Sequence, residues 1–155
     1  MPEFSDEYWM QQALDLAEQG AHCGEVPVGA IVVNNNVVIG SGFNKSIGSC
    51  DASAHAEIVA LREAGQTLNN YRLPECTVYV TLEPCTMCVG ALIHARVKCL
   101  VFGTREPKAG AICSQSSLLS EPFYNHQITW REGVLVEQCA RQLTMFFKRR
   151  RAENN

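Results

Sequence analysis

The chain has 155 residues, 46% apolar and 19% charged, a balance that fits one compact domain burying about 68–70% of the surface its unfolded form would expose. No apolar run approaches the roughly 20 residues of a membrane span, and Met1 to Glu7 has neither a basic n-region nor an apolar h-region, so the expectation is a protein without membrane segment or secretory leader, in the cytoplasm. The net charge of −3 argues against a wholly basic nucleic-acid binder.

Ser5 is placed to cap a helix whose first turn carries Asp6 and Glu7 and whose apolar stripe, Trp9, Met10, Ala13, Leu14, Leu16 and Ala17, stops at Gly20. Val28 to Val33 and Val37 to Phe43 are β-branched runs separated by Asn34-Asn35-Asn36, which predicts a hairpin. Asn44 to Ser53 is polar and irregular, and a helix is expected over Ala54 to Gly65. A loop through Asn69, Asn70 and Pro74 then reaches a third strand, Cys76 to Thr81. Glu83-Pro84 turns the chain into a second helix that continues to Ala95, and Val97 to Gly103 makes a fourth strand. Thr104 to Ser120 reads as a loop whose Arg105, Glu106 and Lys108 suit the lip of a site. A fifth strand is expected over Ile128 to Gly133 and a last helix over 134–151, with Val136, Ala140, Leu143 and Phe147 facing inward. Strands alternating with helices predict an α/β domain with parallel neighbours and active-site loops at the carboxyl ends of its strands.

Two motifs carry the chemistry: His55-Ala56-Glu57, and Pro84-Cys85-Thr86-Met87-Cys88. One imidazole and two thiols form a ligand set that zinc accepts tetrahedrally, and three protein ligands leave a fourth position for water. Two thiolates neutralise the ion, so water there should be less acidified than at an all-histidine site, where its pKa falls to about 7. A helper base is needed, and Glu57 stands beside His55. On a helix those two residues diverge, which leaves the Glu57 carboxylate for proton transfer rather than ligation. Cys85 and Cys88 at a helix start would lie on one face, with their thiol pKa values lowered by the helix dipole. Two other readings stand beside this one. The CxxC pair suits redox chemistry, which would leave His55 and Glu57 unexplained. A purely structural zinc would need a fourth ligand, for which Cys50, Cys76 or His94 are available without any spacing argument.

The remaining cysteines, Cys23, Cys50, Cys76, Cys99, Cys113 and Cys139, are isolated, and several lie in apolar runs, so all six read as structural thiols. Charge is uneven: the first 20 residues hold five acids and no Lys or Arg, whereas Arg141 to Asn155 holds five bases and one acid. A run such as Lys148-Arg149-Arg150-Arg151 serves equally as a solvated helix end or as an RNA contact. Asn44, leaving a strand, can turn its amide into a pocket or merely form a turn.

H-x-E followed by P-C-x-x-C is the general signature of zinc nucleobase deaminases. The chain further resembles bacterial tRNA adenosine deaminases over nearly its whole length, through Glu25-Val26-Pro27-Val28-Gly29-Ala30, Ala54-His55-Ala56-Glu57-Ile58, Asn70-Tyr71-Arg72-Leu73, Thr81-Leu82-Glu83-Pro84-Cys85-Thr86-Met87-Cys88, Phe102-Gly103 and Phe146-Phe147 before the basic end. The resemblance implies a three-layer α/β/α cytidine-deaminase-like fold with a mixed five-stranded sheet and helices on both faces. It implies a homodimer in which each active site is finished by the partner, one zinc per subunit on His55, Cys85 and Cys88, and proton shuttling by Glu57. Asn44 would meet the target base, with Val28 and Leu82 packed around it. Arg105, Glu106, Lys108, Phe147, Arg149 and Arg150 would touch a tRNA anticodon stem-loop, whose wobble adenosine would become inosine. A deaminase of a free base or nucleotide (guanine, cytosine or dCMP) shares every zinc residue and is the alternative. Two departures stand out: Glu106 occupies a position where the family carries Asp, and Asp51-Ala52-Ser53 lacks the family's proline.

Overall fold

The computed structural model describes residues 4–154; part of the Met1 to Glu7 reading thus falls outside the described residues. Its elements are α1 (Asp6–His22), β1 (Gly29–Asn34), β2 (Val37–Phe43), α2 (Ala56–Leu68), β3 (Thr77–Leu82), α3 (Thr86–His94), β4 (Cys99–Thr104), β5 (Thr129–Arg131) and α4 (Val136–Glu153). The sheet order is β2-β1-β3-β4-β5. β1 runs antiparallel to both β2 and β3, while β3, β4 and β5 are parallel. The expected hairpin is the β1–β2 pair and the expected parallel neighbours are β3, β4 and β5, while β2 and β3 run the same way with β1 inserted between them. The mixed five-stranded sheet is as the resemblance implied.

Period-two alternation divides the strands between two cores. Ala30, Val32, Val78, Val80, Leu100 and Phe102 face α2 and α3, meeting Ala56, Ala60, Ala64, Val89, Leu92 and Ile93. Ile31, Val33, Tyr79, Cys99 and Val101 face the other way, onto Trp9, Met10, Ala13 and Leu14 of α1 and Cys139 of α4. Helices cover both faces, so the layers are α/β/α. Gly40 lets α2 sit close on β2, since a Cβ there would overlap the Ala60 carbonyl. No helix among the described residues is long and apolar enough to cross a membrane.

Local chemistry sets the element ends. Ser5 caps α1, its hydroxyl accepting the Tyr8 N–H at 3.1 Å. Gly20 does not stop α1; it is buried inside the helix, which continues to His22. Asn35 and Asn36 both take positive φ, 51° and 64°, giving a two-residue hairpin. Gly65 likewise does not end α2, which closes at Asn69 in the left-handed conformation. The stop falls at Asn69, which takes that conformation, while Gly65 stays helical.

Two further expectations are corrected. In α4 the buried residues are Cys139 and Phe146; of the four expected inward, Ala140 and Leu143 are half-buried while Val136 and Phe147 are exposed, so the face is turned by about one position. Among the isolated cysteines, Cys76, Cys99 and Cys139 are buried as expected, but Cys23 and Cys50 are exposed and Cys113 is half-buried.

Candidate metal centre

Strand pairing collects the site at one edge of the sheet. Gly29 pairs with Phe43, and Leu82 with Thr104, so the start of β1 and the ends of β2, β3 and β4 lie side by side. Val28, Asn44, Glu83 and Arg105 therefore leave the sheet together. Hydrogen bonds extend this edge beyond the strands, with the Asn44 N–H on the Val28 carbonyl at 3.2 Å and the Glu83 N–H on the Thr104 carbonyl at 2.9 Å. Buried Thr81 adds a cross-link, its hydroxyl accepting the Gly29 N–H.

The amino ends of α2 and α3 meet above this edge. His55 is not inside a helix, as expected from the sequence, but occupies the extended cap position of α2; Cys85 holds the same position on α3. His55 Nδ1 lies 3.6 Å from Cys85 Sγ and 3.5 Å from Cys88 Sγ. In a tetrahedral site with zinc–sulfur and zinc–nitrogen bonds of ordinary length, the nitrogen–sulfur edge is about 3.6 Å. The donor set and spacing fit zinc. Among the described residues these three form the one group able to hold a metal, so Cys50, Cys76 and His94 supply no fourth ligand. Both CxxC cysteines are free thiols.

The protonation balance shows the donors crowding one another. Hydrogen bonds from Cys88 and then His55 hold the Cys85 thiol down at about 3. The bond to Cys85, followed by burial, pushes the Cys88 thiol far above its ordinary range, and the same Cys85 contact raises His55. Glu57, in the first turn of α2, is only 4% exposed, and burial pushes its carboxyl up to about 7. Its charge is felt by both His55 and Cys88, which places the carboxyl group beside the donor triangle.

Asn44 is a structural brace as well as a site candidate. Its Oδ1 accepts the Ala56 N–H at 2.8 Å, and its Nδ2 donates to the Val26 carbonyl at 3.2 Å. With the Lys45 N–H on the Ala54 carbonyl at 2.9 Å, both neighbours of His55 are held. Val28 is buried and Leu82 half-buried at the same edge.

Of the residues expected at the outer contacts, some are paired within the chain and others stand exposed on the surface. Arg105 is paired fork-to-fork with Glu132, at 2.8 and 2.9 Å. Glu106 accepts the Lys108 N–H at 2.9 Å, which shapes the turn that exposes Lys108. Phe147 and Arg149 are exposed on α4. Arg150 instead donates to the Gly24 carbonyl at 2.9 Å and stacks on Phe146. A groove of about 750 Å³ between α2 and α3, lined by Ile58, Leu61, Leu73, Ala91 and Ala95 among others, contains none of the metal donors. The chemistry lies elsewhere than this largely apolar groove.

Two buried carboxylates beside the site were not recognised from the sequence. Glu25 accepts the Ile47 and Gly48 N–H groups, and Glu83 accepts bonds from the 106–114 loop. The available signal was position: each acid directly precedes a short apolar or proline-containing turn next to a strand.

Residues 4–104 match the cytidine and deoxycytidylate deaminase zinc-binding region. The tRNA-specific adenosine deaminase of Haemophilus influenzae is 48% identical over 149 residues, covering 96% of this chain and 86% of that protein. The chain belongs to the tRNA-specific adenosine deaminase family. A solved tRNA:A34 deaminase, studied for A-to-I editing at the wobble position of transfer RNA, is 38% identical with a TM-score of 0.85, covering 88% of this chain and 99% of that one. The guanine deaminase of Nitrosomonas europaea is more distant, 25% identical with a TM-score of 0.79 over 94% of this chain and 86% of that one. Membership in the tRNA-specific adenosine deaminase family accounts for the zinc-binding region and makes the chain a hydrolytic deaminase with the cytidine-deaminase-like fold.

Proposed function

We propose that this chain, acting as one domain, deaminates adenosine to inosine at the wobble position of a tRNA anticodon. The carrying observation is the buried Glu57 carboxyl beside the triangle of His55, Cys85 and Cys88, in a chain whose relatives are named for that substrate. Zinc, when bound by those three residues, supplies Lewis acidity toward the attacking water. Glu57 takes a proton from that water as its oxygen adds to the carbon bearing the exocyclic amine, and passes it to the ring nitrogen. Glu57 then carries the remaining proton of the added hydroxyl to the amine, the C–N bond breaks as the carbonyl forms, and ammonia leaves, so one water is consumed for each ammonia released. Asn44, with one amide proton beyond its Val26 bond, faces the base between Val28 and Leu82.

RNA specificity belongs to the surrounding surface. Arg105, Glu106 and Lys108 on the lip and Phe147, Arg149 and Arg150 on α4 are the proposed contacts. Turning out a single-stranded anticodon base costs only a few kcal/mol, and the phosphate contacts should weaken as salt rises. A homodimer is part of this reading, supported by the apolar groove between α2 and α3 and by Tyr71, which is 75% exposed at its rim. An enzyme of tRNA would act in the cytoplasm.

The guanine deaminase relative keeps the free-base reading in the test. Purified enzyme is incubated with an anticodon stem-loop, free adenosine, cytidine and guanine, and the products are separated. Inosine formed in the stem-loop alone is expected; preferential turnover of a free base overturns the reading. Sedimentation reports whether the particle contains two chains.

A further inference from the structure

Glu83 is 2% exposed and stands immediately before the Pro84–Cys85 turn. Its carboxylate receives every bond it makes from a single loop. Oε1 accepts the Glu106 N–H at 3.0 Å and the Ser114 hydroxyl; Oε2 accepts the N–H groups of Ile112, Cys113 and Ser114 at 3.0, 2.9 and 3.0 Å. Buried charge is tolerated because both oxygens are fully used as acceptors. Gly110 closes over the same group, where a Cβ would overlap the carboxyl atoms. Two backbone bonds bind the adjoining residues to this loop as well: the Glu83 N–H to the Thr104 carbonyl, and the Ala111 N–H to the Pro84 carbonyl, both at 2.9 Å.

We infer that Glu83 is a positioning residue that fixes the 105–114 lip relative to the metal-ligand turn and thereby sets affinity for the RNA substrate. The loop has no helix or strand of its own over this span. Its order depends on converging N–H groups that would otherwise be unpaired, and the carboxylate gathers four of them within nine residues. The Arg105–Glu132 pair ties the first residue of the loop, and the Cys113 thiol reaches the same Glu132 carboxylate only at 4.0 Å. Without the Glu83 charge, Glu106 and Lys108 lose their fixed distance from Cys85, while His55, Cys88 and Glu57 keep their own supports in α2 and α3. The inference rests on the proposed reading only in taking the lip as an RNA contact.

Glu83→Gln is the direct test, because an amide keeps the shape but directs an N–H₂ group at N–H donors. Expected results are zinc content equal to the parent and faster hydrogen exchange at Glu106, Ile112, Cys113 and Ser114. KM for the stem-loop should rise about tenfold, with kcat little changed. Ser114→Ala, which removes one donor, should raise KM less, and Gly110→Ala, which crowds the carboxylate, should reproduce the exchange and KM changes if Glu83→Gln does not fold. Unchanged exchange with unchanged KM overturns the inference. Loss of zinc with a collapse of kcat at unchanged KM also overturns it, since Glu83 would then support the metal turn instead. Should the parent chain leave the stem-loop unmodified, the functional reading fails, and the exchange measurement still decides whether Glu83 orders the lip.

Discussion

Asn44 Oδ1 accepts the first N–H of α2, from Ala56, at 2.8 Å, across twelve residues of irregular chain. The bond does what a capping side chain does for a helix, since His55 at the cap position makes no side-chain capping bond. It leaves the imidazole free for a metal. Asn44→Ala should lower stability by about 1–2 kcal/mol through the unpaired N–H and weaken zinc binding. Asn44→Asp, which keeps the acceptor, should recover most of the stability. Denaturant titration and competitive zinc titration of both variants check this; equal stability in parent and alanine variant would contradict it.

Glu57 is separable from the metal ligands. Its carboxyl is buried near the three donors yet is not one of them. Glu57→Gln should keep one zinc per chain and lower kcat on the stem-loop by about 10²–10⁴, the span associated with a positioned proton-transfer group. Metal analysis beside inosine quantification reads both. A variant that loses zinc would instead make Glu57 part of the metal support.

Zinc should also stabilise the fold. The three donors come from two helix starts that are otherwise separate in sequence, and a metal that binds only the folded arrangement shifts unfolding by mass action. Chelation should lower the melting temperature, and added zinc should restore it. Cys88→Ser, at a fully buried donor, should abolish the zinc-dependent increment. Melting curves with and without chelator provide the check.

The ligand set was legible because its spacing is a local property: H-x-E and P-C-x-x-C each span a few residues, and helix starts present such residues together. Strand existence was legible for the same reason, through β-branched runs. What joins distant segments was not. The insertion of β1 between β2 and β3 depends on pairing across more than 40 residues. The roles of Glu25 and Glu83 depend on loops folding back onto them. Arg150 reads as part of a basic run, yet its guanidinium is directed to Gly24, 126 residues away. Helix ends failed at Gly20 and Gly65 because glycine permits a stop without requiring one.

Asp6 and Arg131 join the start of α1 to β5, with bonds of 2.9 and 3.0 Å, and the Tyr79 hydroxyl donates to the same carboxylate at 3.0 Å. Burial pushes the Asp6 carboxyl upward, but the bonds from Arg131 and Tyr79 outweigh it and hold the group below its ordinary 3.8. A depressed carboxyl contributes stability above its unfolded pKa and loses that contribution as pH falls through the folded value. Tyr79 is raised, chiefly by burial, so its contribution is lost only on the alkaline side, above its ordinary 10. Asp6→Asn should therefore melt below the parent at neutral pH, and the gap should narrow below about pH 4. Melting temperatures at neutral pH and across the acid range test the sign; a gap that widens in acid would contradict it.

Phe146 and Phe147 are adjacent on α4 and face opposite environments, 7% and 41% exposed. Phe146 packs inward beneath the Arg150 guanidinium, 4.8 Å from its ring centre, whereas Phe147 stands on the surface near Arg149 and Lys148. Phe146→Ala should cost about 3 kcal/mol of stability, the order expected for removing a buried ring. Phe147→Ala should change stability by no more than about 0.5 kcal/mol, yet raise KM for the anticodon stem-loop if that ring stacks on RNA. Truncation after Arg141 confounds the two effects, because it also removes the Gln142 amide that donates to Leu14 of α1. The paired point variants separate them: denaturant unfolding should single out Phe146, and stem-loop kinetics should single out Phe147. Equal destabilisation by both would restore the inward assignment of Phe147 and remove it from the RNA surface.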